Sequence, residues 1–239
     1  MSAPAQGLAW RDRRRRAVNG TMLTLTGVAA LLTVVPLVLI LYHLLTAGLY
    51  LAEAQGSRLA NAVRFLTDVM NGIPSIVIGI FVWAWVVVSM GHFSALAGGL
   101  ALAIMLLPMV TRTTEEMVRL VPREMSEGAL ALGFTRWRTT LGVVLPAARS
   151  GILTGVLVSL ARIAGETAPL LFTAFVNPYW GWRLNEPIAA LPVQIFQYAT
   201  SPFEEWHRLA WAAALVLIGL VLAVSLAARF LIRSPFKDR

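Results

Sequence analysis

The stretch EGALALGFTRWRTTLGVVLP, residues 127–146, is a polar island between two long apolar runs. Residues 69–111 before it carry no charged side chain, and residues 151–175 after it carry only Arg162 and Glu166. Runs of that length match the hydrocarbon thickness of a bilayer, where only a helix can satisfy its own backbone. The island is therefore a loop between membrane spans, and the fold it dictates is an all-α, polytopic transmembrane helical bundle.

Composition agrees along the whole chain. Of 239 residues, 58% are hydrophobic and only 13% charged, and mean hydropathy is +0.72, outside the soluble range. Apolar runs recur throughout, leaving no room for a separate soluble domain. They predict a tight hairpin of spans at 71–90 and 94–111 turning at Gly91, His92 and Phe93, a span at 151–175 and a last span at 209–230.

The net charge of +8 resides in short basic blocks beside the spans rather than in an aromatic-interleaved patch, so it reports topology and not nucleic acid. Seventeen of the twenty Lys and Arg residues lie in the arm 1–20, the strip 53–66, the segment 112–150 and the tail from Arg229, whose end is 234–239. The positive-inside rule makes these segments cytoplasmic. Loop 176–207 then faces outward, where Tyr179, Trp180, Trp182 and Trp206 suit a membrane interface.

Residues 17–52 fit this scheme poorly. They are 36 uncharged residues, about 54 Å as one helix, whereas two crossings need roughly 34 residues plus a turn. A shallow hairpin near Thr33 to Pro36, or one end that breaks the charge rule, is expected.

Cysteine is absent, and His43, His92 and His207 are too scattered to argue for a metal. The single lysine is Lys237, so no GxxxxGK[ST] phosphate loop exists in the chain. If ATP drives this protein, another chain binds and hydrolyses it; no cofactor and no catalytic residue is expected here.

Within the polar segment, Pro122 is placed to open a helix of about ten residues and Gly133 to lie just past its end. Met125, Gly128, Ala129 and Leu132 share a face of that helix. Spacing alone permits either a surface helix that closes the loop or a docking element with a small-residue face. The letters EGALALG, nine residues, then VVLP resemble the EAA loop of ABC importer permeases, whose pattern is E-A-A, three residues, G, nine residues, I-x-L-P. Glu127, Ala129, Gly133, Leu145 and Pro146 match; Gly128 and Val143 replace Ala and Ile. That resemblance implies a type I permease domain, here 21–233, whose coupling helix docks in a groove on an ATP-hydrolysing subunit.

The strings VRFLTDVMNGIPSIVIGIFVW, LLPMVTRTTEEMVRLVP, LARIAGETAPLLFTA and LPVQIFQYATSPFEEWHRLAWAAALVL are more specific. They resemble the phosphate-specific ABC importer permeases of PstA type, from about Ala47 onward. The resemblance implies a multi-pass protein of the bacterial inner membrane that moves inorganic phosphate with a PstC-type permease, two PstB-type ATPases and a periplasmic PstS-type binding protein. Where that family carries an external loop and most of a second span, this sequence runs from LYHLL (41–45) almost directly into AGLYLAE (47–53), so the first-to-second span region is shortened.

In LARIAGETAPLL, residues 160–171, Arg162 and Glu166 stand four apart in an apolar run, each costing about 2.5 to 3.5 kcal/mol at a bilayer centre. On one continuous helix they pair and face the bundle interior. Such a pair is either an assembly contact or an anion site, with Arg162 presenting a donor fork and Glu166 holding it. In the resembled family these two positions are associated with phosphate passage. Thr167 adds a hydroxyl to the candidate path; Ser75 beside Pro74 is either a path residue or a packing contact. Rival readings are a permease for another oxyanion such as sulfate or molybdate, a self-sufficient channel or secondary transporter, and a front-deleted remnant that assembles without transporting.

Overall fold

The computed structural model describes residues 41–231 apart from 55, 178–180 and 182. The basic arm, most of the 17–52 run, the tail from 232, and Tyr179, Trp180 and Trp182 lie outside the described residues. Leu44–Arg239 forms a compact unit of its own.

The described residues of this unit form helices: α1 (44–53), α2 (Arg58–Gly72), α3 (Ser75–Met90), α4 (Ala95–Arg119), α5 (Arg123–Ala131), α6 (Arg136–Ile163), α7 (Ala168–Thr173), α8 (Leu191–Ala199) and α9 (Glu204–Leu231). Three of them, α4, α6 and α9, are long and apolar enough to cross a membrane. The pair α2 and α3 passes the same test jointly but is bent by 98°. Pro74 explains the bend: it has no N–H to continue the ladder, and it drives Ile73 into extended backbone (φ −72°, ψ 127°).

The expected turn at Gly91 forms, with φ 74° that favours glycine, but the span expected at 71–90 is cut at Pro74: α3 is only Ser75–Met90 and passes as a span only jointly with α2. The first turn of α4 is capped from two directions. Ser94 Oγ accepts from the Ala97 N–H at 3.2 Å, and the loop between α7 and α8 offers the carbonyls of Glu186 and Leu184 to the N–H groups of Ala95 and Leu96, each at 2.9 Å.

The 112–150 segment is mostly helix rather than loop. α4 continues to Arg119, supported by the i,i+4 pairs Arg112–Glu116 (3.0 Å) and Glu115–Arg119 (2.6 Å), and α6 already begins at Arg136. Pro146 lies inside α6, where its ring would strike the carbonyl four residues back. A wide turn at Thr140–Val144, with the Leu145 N–H donating to the Thr140 carbonyl, relieves that clash.

The 151–175 span is also corrected. α6 stops at Ile163, residues 164–167 form a break, and α7 resumes at Ala168. Pro169 cannot donate to the Gly165 carbonyl, and the break removes the demand. In the 176–207 loop, residues 191–199 fold as α8, with Pro192 in the first turn and Val193 buried beside Leu170 and Ala174.

Small residues let the spans approach. A Cβ on Gly151 would sit 2.7 Å from Met117 Sδ, one on Gly155 would collide with Thr113 Cγ2, and one on Gly79 would lie 2.7 Å from Pro169 Cα. α4 thus packs against α6, and α3 against α7, backbone to side chain.

Candidate functional site

Arg162 and Glu166 do not form the i,i+4 pair expected of a continuous helix. Arg162 occupies the last turn of α6, where the helix dipole favours a cation; Glu166 falls in the break, its N–H donating to the Ile163 carbonyl at 3.0 Å. Neither makes an ion pair among the described residues.

The two side chains meet by another route, because both line one pocket of about 180 Å³. Ser75 and Asn71 share it, with Ile73 and Pro74 from the α2–α3 bend and Met105, Pro108 and Met109 from α4. Arg162 also lines a larger cleft of about 790 Å³, which runs past Thr154 and Thr113 to Arg112. A guanidinium with free donors, a carboxylate, a hydroxyl and an amide around one space can hold a small oxyanion. Thr167 lines neither cavity: it precedes α7, and its carbonyl accepts from the Leu171 N–H at 3.2 Å.

In the segment that resembles the EAA loop, α5 runs over Arg123–Ala131, with Pro122 just ahead of it and Gly133 just beyond at φ 86°. The face expected to be continuous is divided. Ala129 is buried against the rest of the chain, while Met125, Gly128 and Leu132 are exposed and a Cβ on Gly128 would meet nothing within 4 Å. Glu127 is exposed at the mouth of a cavity of about 460 Å³ beneath α5; Leu145 and Pro146 lie after the wide turn in α6. Leu132, Phe134 and Trp137 form an outward apolar surface.

Residues 44–236 match the family described as binding-protein-dependent transport system inner membrane component. The chain belongs to this family. The permease is 51% identical over 184 residues to the phosphate transport system permease protein PstA of Haemophilus influenzae, covering 77% of this chain and 65% of that relative. It is 51% identical over 190 residues to PstA of Xylella fastidiosa (79% and 66%) and 43% identical over 193 residues to the probable PstA of Methanocaldococcus jannaschii (80% and 68%). The permease thus spans just under two thirds of the length of the first two relatives. A chain of the MetNI methionine ABC transporter, solved in inward-facing conformations, shares its fold at TM-score 0.60 and 17% identity, covering 83% of this chain and 97% of that one. The permease is a multi-pass inner-membrane protein with the helical fold of ABC importer permeases.

One charged cluster in the permease escapes a reading by spans. Glu115 on α4 is 1% exposed and holds three arginines: Arg64 of α2 through Nε at 2.6 Å, Arg119 at 2.6 Å and Arg112 at 3.4 Å. Arg64 also donates to the Leu51 carbonyl of α1. Its only signal in the sequence is the acid-base alternation in RTTEEMVR, which reads equally well as a solvated loop. Nearby, the Thr140 hydroxyl donates to Glu53. Desolvation of the Glu53 carboxyl raises its pKa above the ordinary value, and the Arg136 charge pulls the other way.

Proposed function

We propose that this chain is the membrane subunit of an ATP-driven importer that moves inorganic phosphate into the cell, and that it is no enzyme by itself. Arg162 carries this reading. It has no counter-ion of its own among the described residues and borders both the small pocket and the wider cleft, so an anion passing between them meets its donor fork. Glu166 and Ser75 bound the same pocket, Glu166 limiting how tightly an anion is held. Thr167, outside the pocket, orients the break rather than touching the anion. The similarity to relatives named PstA supports phosphate as the solute.

The partners in this reading are a PstC-type permease, two PstB-type ATPases and a PstS-type periplasmic binding protein. ATP is bound by the ATPase subunits, and no cofactor by this chain. Coupling passes through Glu127, Gly128, Ala129, Gly133, Leu145 and Pro146, with Ala129 seating α5 on the bundle and the exposed residues meeting the ATPase.

The test is uptake of labelled phosphate by the assembled importer in vesicles, with and without Arg162→Leu and with sulfate and molybdate as competitors. Uptake should fall about 10- to 100-fold, the worth of charged hydrogen bonds, at unchanged complex yield. Normal uptake in the variant would remove Arg162 from the path. Full competition by sulfate would replace phosphate with oxyanions in general.

A further inference from the structure

The cytoplasmic half of α4 and the whole of α2 lie side by side and antiparallel. Arg64 meets Glu115, Asp68 stands 3.9 Å from Arg112, and Met70 and Asn71 reach the level of Pro108 and Met109. At one end, the buried carboxylate of Glu115 binds the two helices together and, through Arg64, reaches α1 as well. Arg119, bound to the same carboxylate, is four residues before the coupling helix α5 begins at Arg123. At the other end, both elements are weakened by proline. Pro74 ends α2 at the 98° bend, and Pro108 inside α4 has no N–H for the Ile104 carbonyl. Both prolines line the Arg162 pocket.

A buried, multiply bonded charge cluster resists separation, because parting it strands desolvated charges. A helix lacking a hydrogen bond at proline gives way first. We propose that α2 and residues 109–119 of α4 move as one lever, clamped at Glu115 and hinged at Pro74 and Pro108, and that this lever carries displacement of α5 to the wall of the Arg162 pocket. Arg64 and Glu115 are then positioning residues for translocation, acting at a distance through α2. This rests on the proposed transport function for its consequence but not for its geometry.

The experiment uses the complete importer reconstituted in vesicles. The chain has no cysteine, so Asn71→Cys places the permease's one thiol on the lever where it borders both cavities. Its rate of modification by a soluble maleimide is compared in nucleotide-free and ATP-trapped complexes. A nucleotide-dependent rate is expected, and Arg64→Gln, which detaches α2 from the Glu115 cluster while leaving Glu115 its other arginines, should abolish that dependence. In Arg64→Gln without the reporter, ATP hydrolysis per complex should persist while phosphate moved per ATP falls about tenfold. A labelling response unchanged by Arg64→Gln, or hydrolysis and transport falling in parallel, overturns the lever.

If Arg64→Gln does not assemble, Phe65→Gly with Leu66→Gly softens exposed positions of α2, and Phe65→Ala with Leu66→Ala is the control for lost side chains. The Gly pair should lose the labelling response and the Ala pair keep it; equal behaviour overturns the lever. Labelling needs no phosphate. A lever that responds in a complex that carries no phosphate leaves this inference standing and sinks the proposed solute.

Discussion

Glu115 and Glu166 are both carboxylates near arginine in a chain built largely of Leu, Ala and Val, yet their surroundings are opposite. Glu115 is closed off, 1% exposed and bonded to arginines from two helices. Glu166 is partly exposed, unpaired among the described residues, and shares a pocket with an arginine that is equally unpaired. Desolvated charges are stable only when neighbours satisfy them, so the first cluster is fit to hold elements together. Charges left open to a cavity keep bonding capacity for something that enters it. Satisfaction, rather than mere presence in an apolar chain, separates a joint from a site.

The largest effect that distinguishes the two is expected from Glu115→Leu. Removing the carboxylate strands the largely buried guanidinium of Arg64 beside the part-exposed Arg119, a loss of about 3 kcal/mol, the low end for a broken buried pair. Complex yield and thermal midpoint should both collapse, and a stable Glu115→Leu complex would erase the contrast. Arg162→Leu should change stability by less than about 1 kcal/mol, since no partner is stranded, while uptake falls about 10- to 100-fold. A midpoint drop as large as that of Glu115→Leu would make Arg162 a joint.

Exchanging the open pair sharpens the comparison further. Arg162→Glu with Glu166→Arg keeps both charges at the pocket but moves the cation from the end of α6 into the break, disfavouring the dipole contact. Assembly should be near normal and uptake reduced about tenfold, which uptake per assembled complex will show. Near-normal uptake would mean that the pocket needs a cation but not at that place.

Glu53 is an intermediate case, exposed as a residue but with a desolvated carboxyl that accepts from Thr140. Its pKa is raised in the fold, so the folded chain holds the proton more readily than the unfolded one. The contribution to stability is present below the ordinary carboxylate range and is lost as pH rises through the raised value. Glu53→Gln should remove that slope and leave stability at neutral pH unchanged or slightly higher. Thermal midpoints of the complex between about pH 4 and 7 will show this smallest effect, and an identical slope in the variant would assign it to another group.

The spans α4 and α9 were legible because the bilayer sets a length and excludes charge, and residues 95–111 and 209–228 obey both rules, whereas the span expected at 71–90 was cut by Pro74. The short helix after Pro122 and the turn at Gly133 were legible because proline and glycine restrict backbone in known ways. The break after Ile163 was not. Arg162 and Glu166 sit at helical spacing, and sequence cannot say whether Pro169 merely bends a helix or ends it until the packing of α7 against α3 at Gly79 is known. Glu115 was hidden for another reason: Arg64 is 51 residues away, and only the tertiary pairing of α2 with α4 turns a polar run into a buried joint. The divided face of α5 was likewise unreadable, since both Gly128 and Ala129 are small and only the fold decides which one faces inward.

The capping of α4 by Leu184 and Glu186 binds the loop after α7 and a membrane span into one inheritance. Substituting this loop from a relative, or inserting an epitope tag between residues 184 and 186, would withdraw two acceptors from Ala95 and Leu96 at the head of a span that has few other polar groups to offer. Chimaeras that recombine loops among such relatives therefore have their natural crossover points outside residues 183–187, and that segment travels with α4.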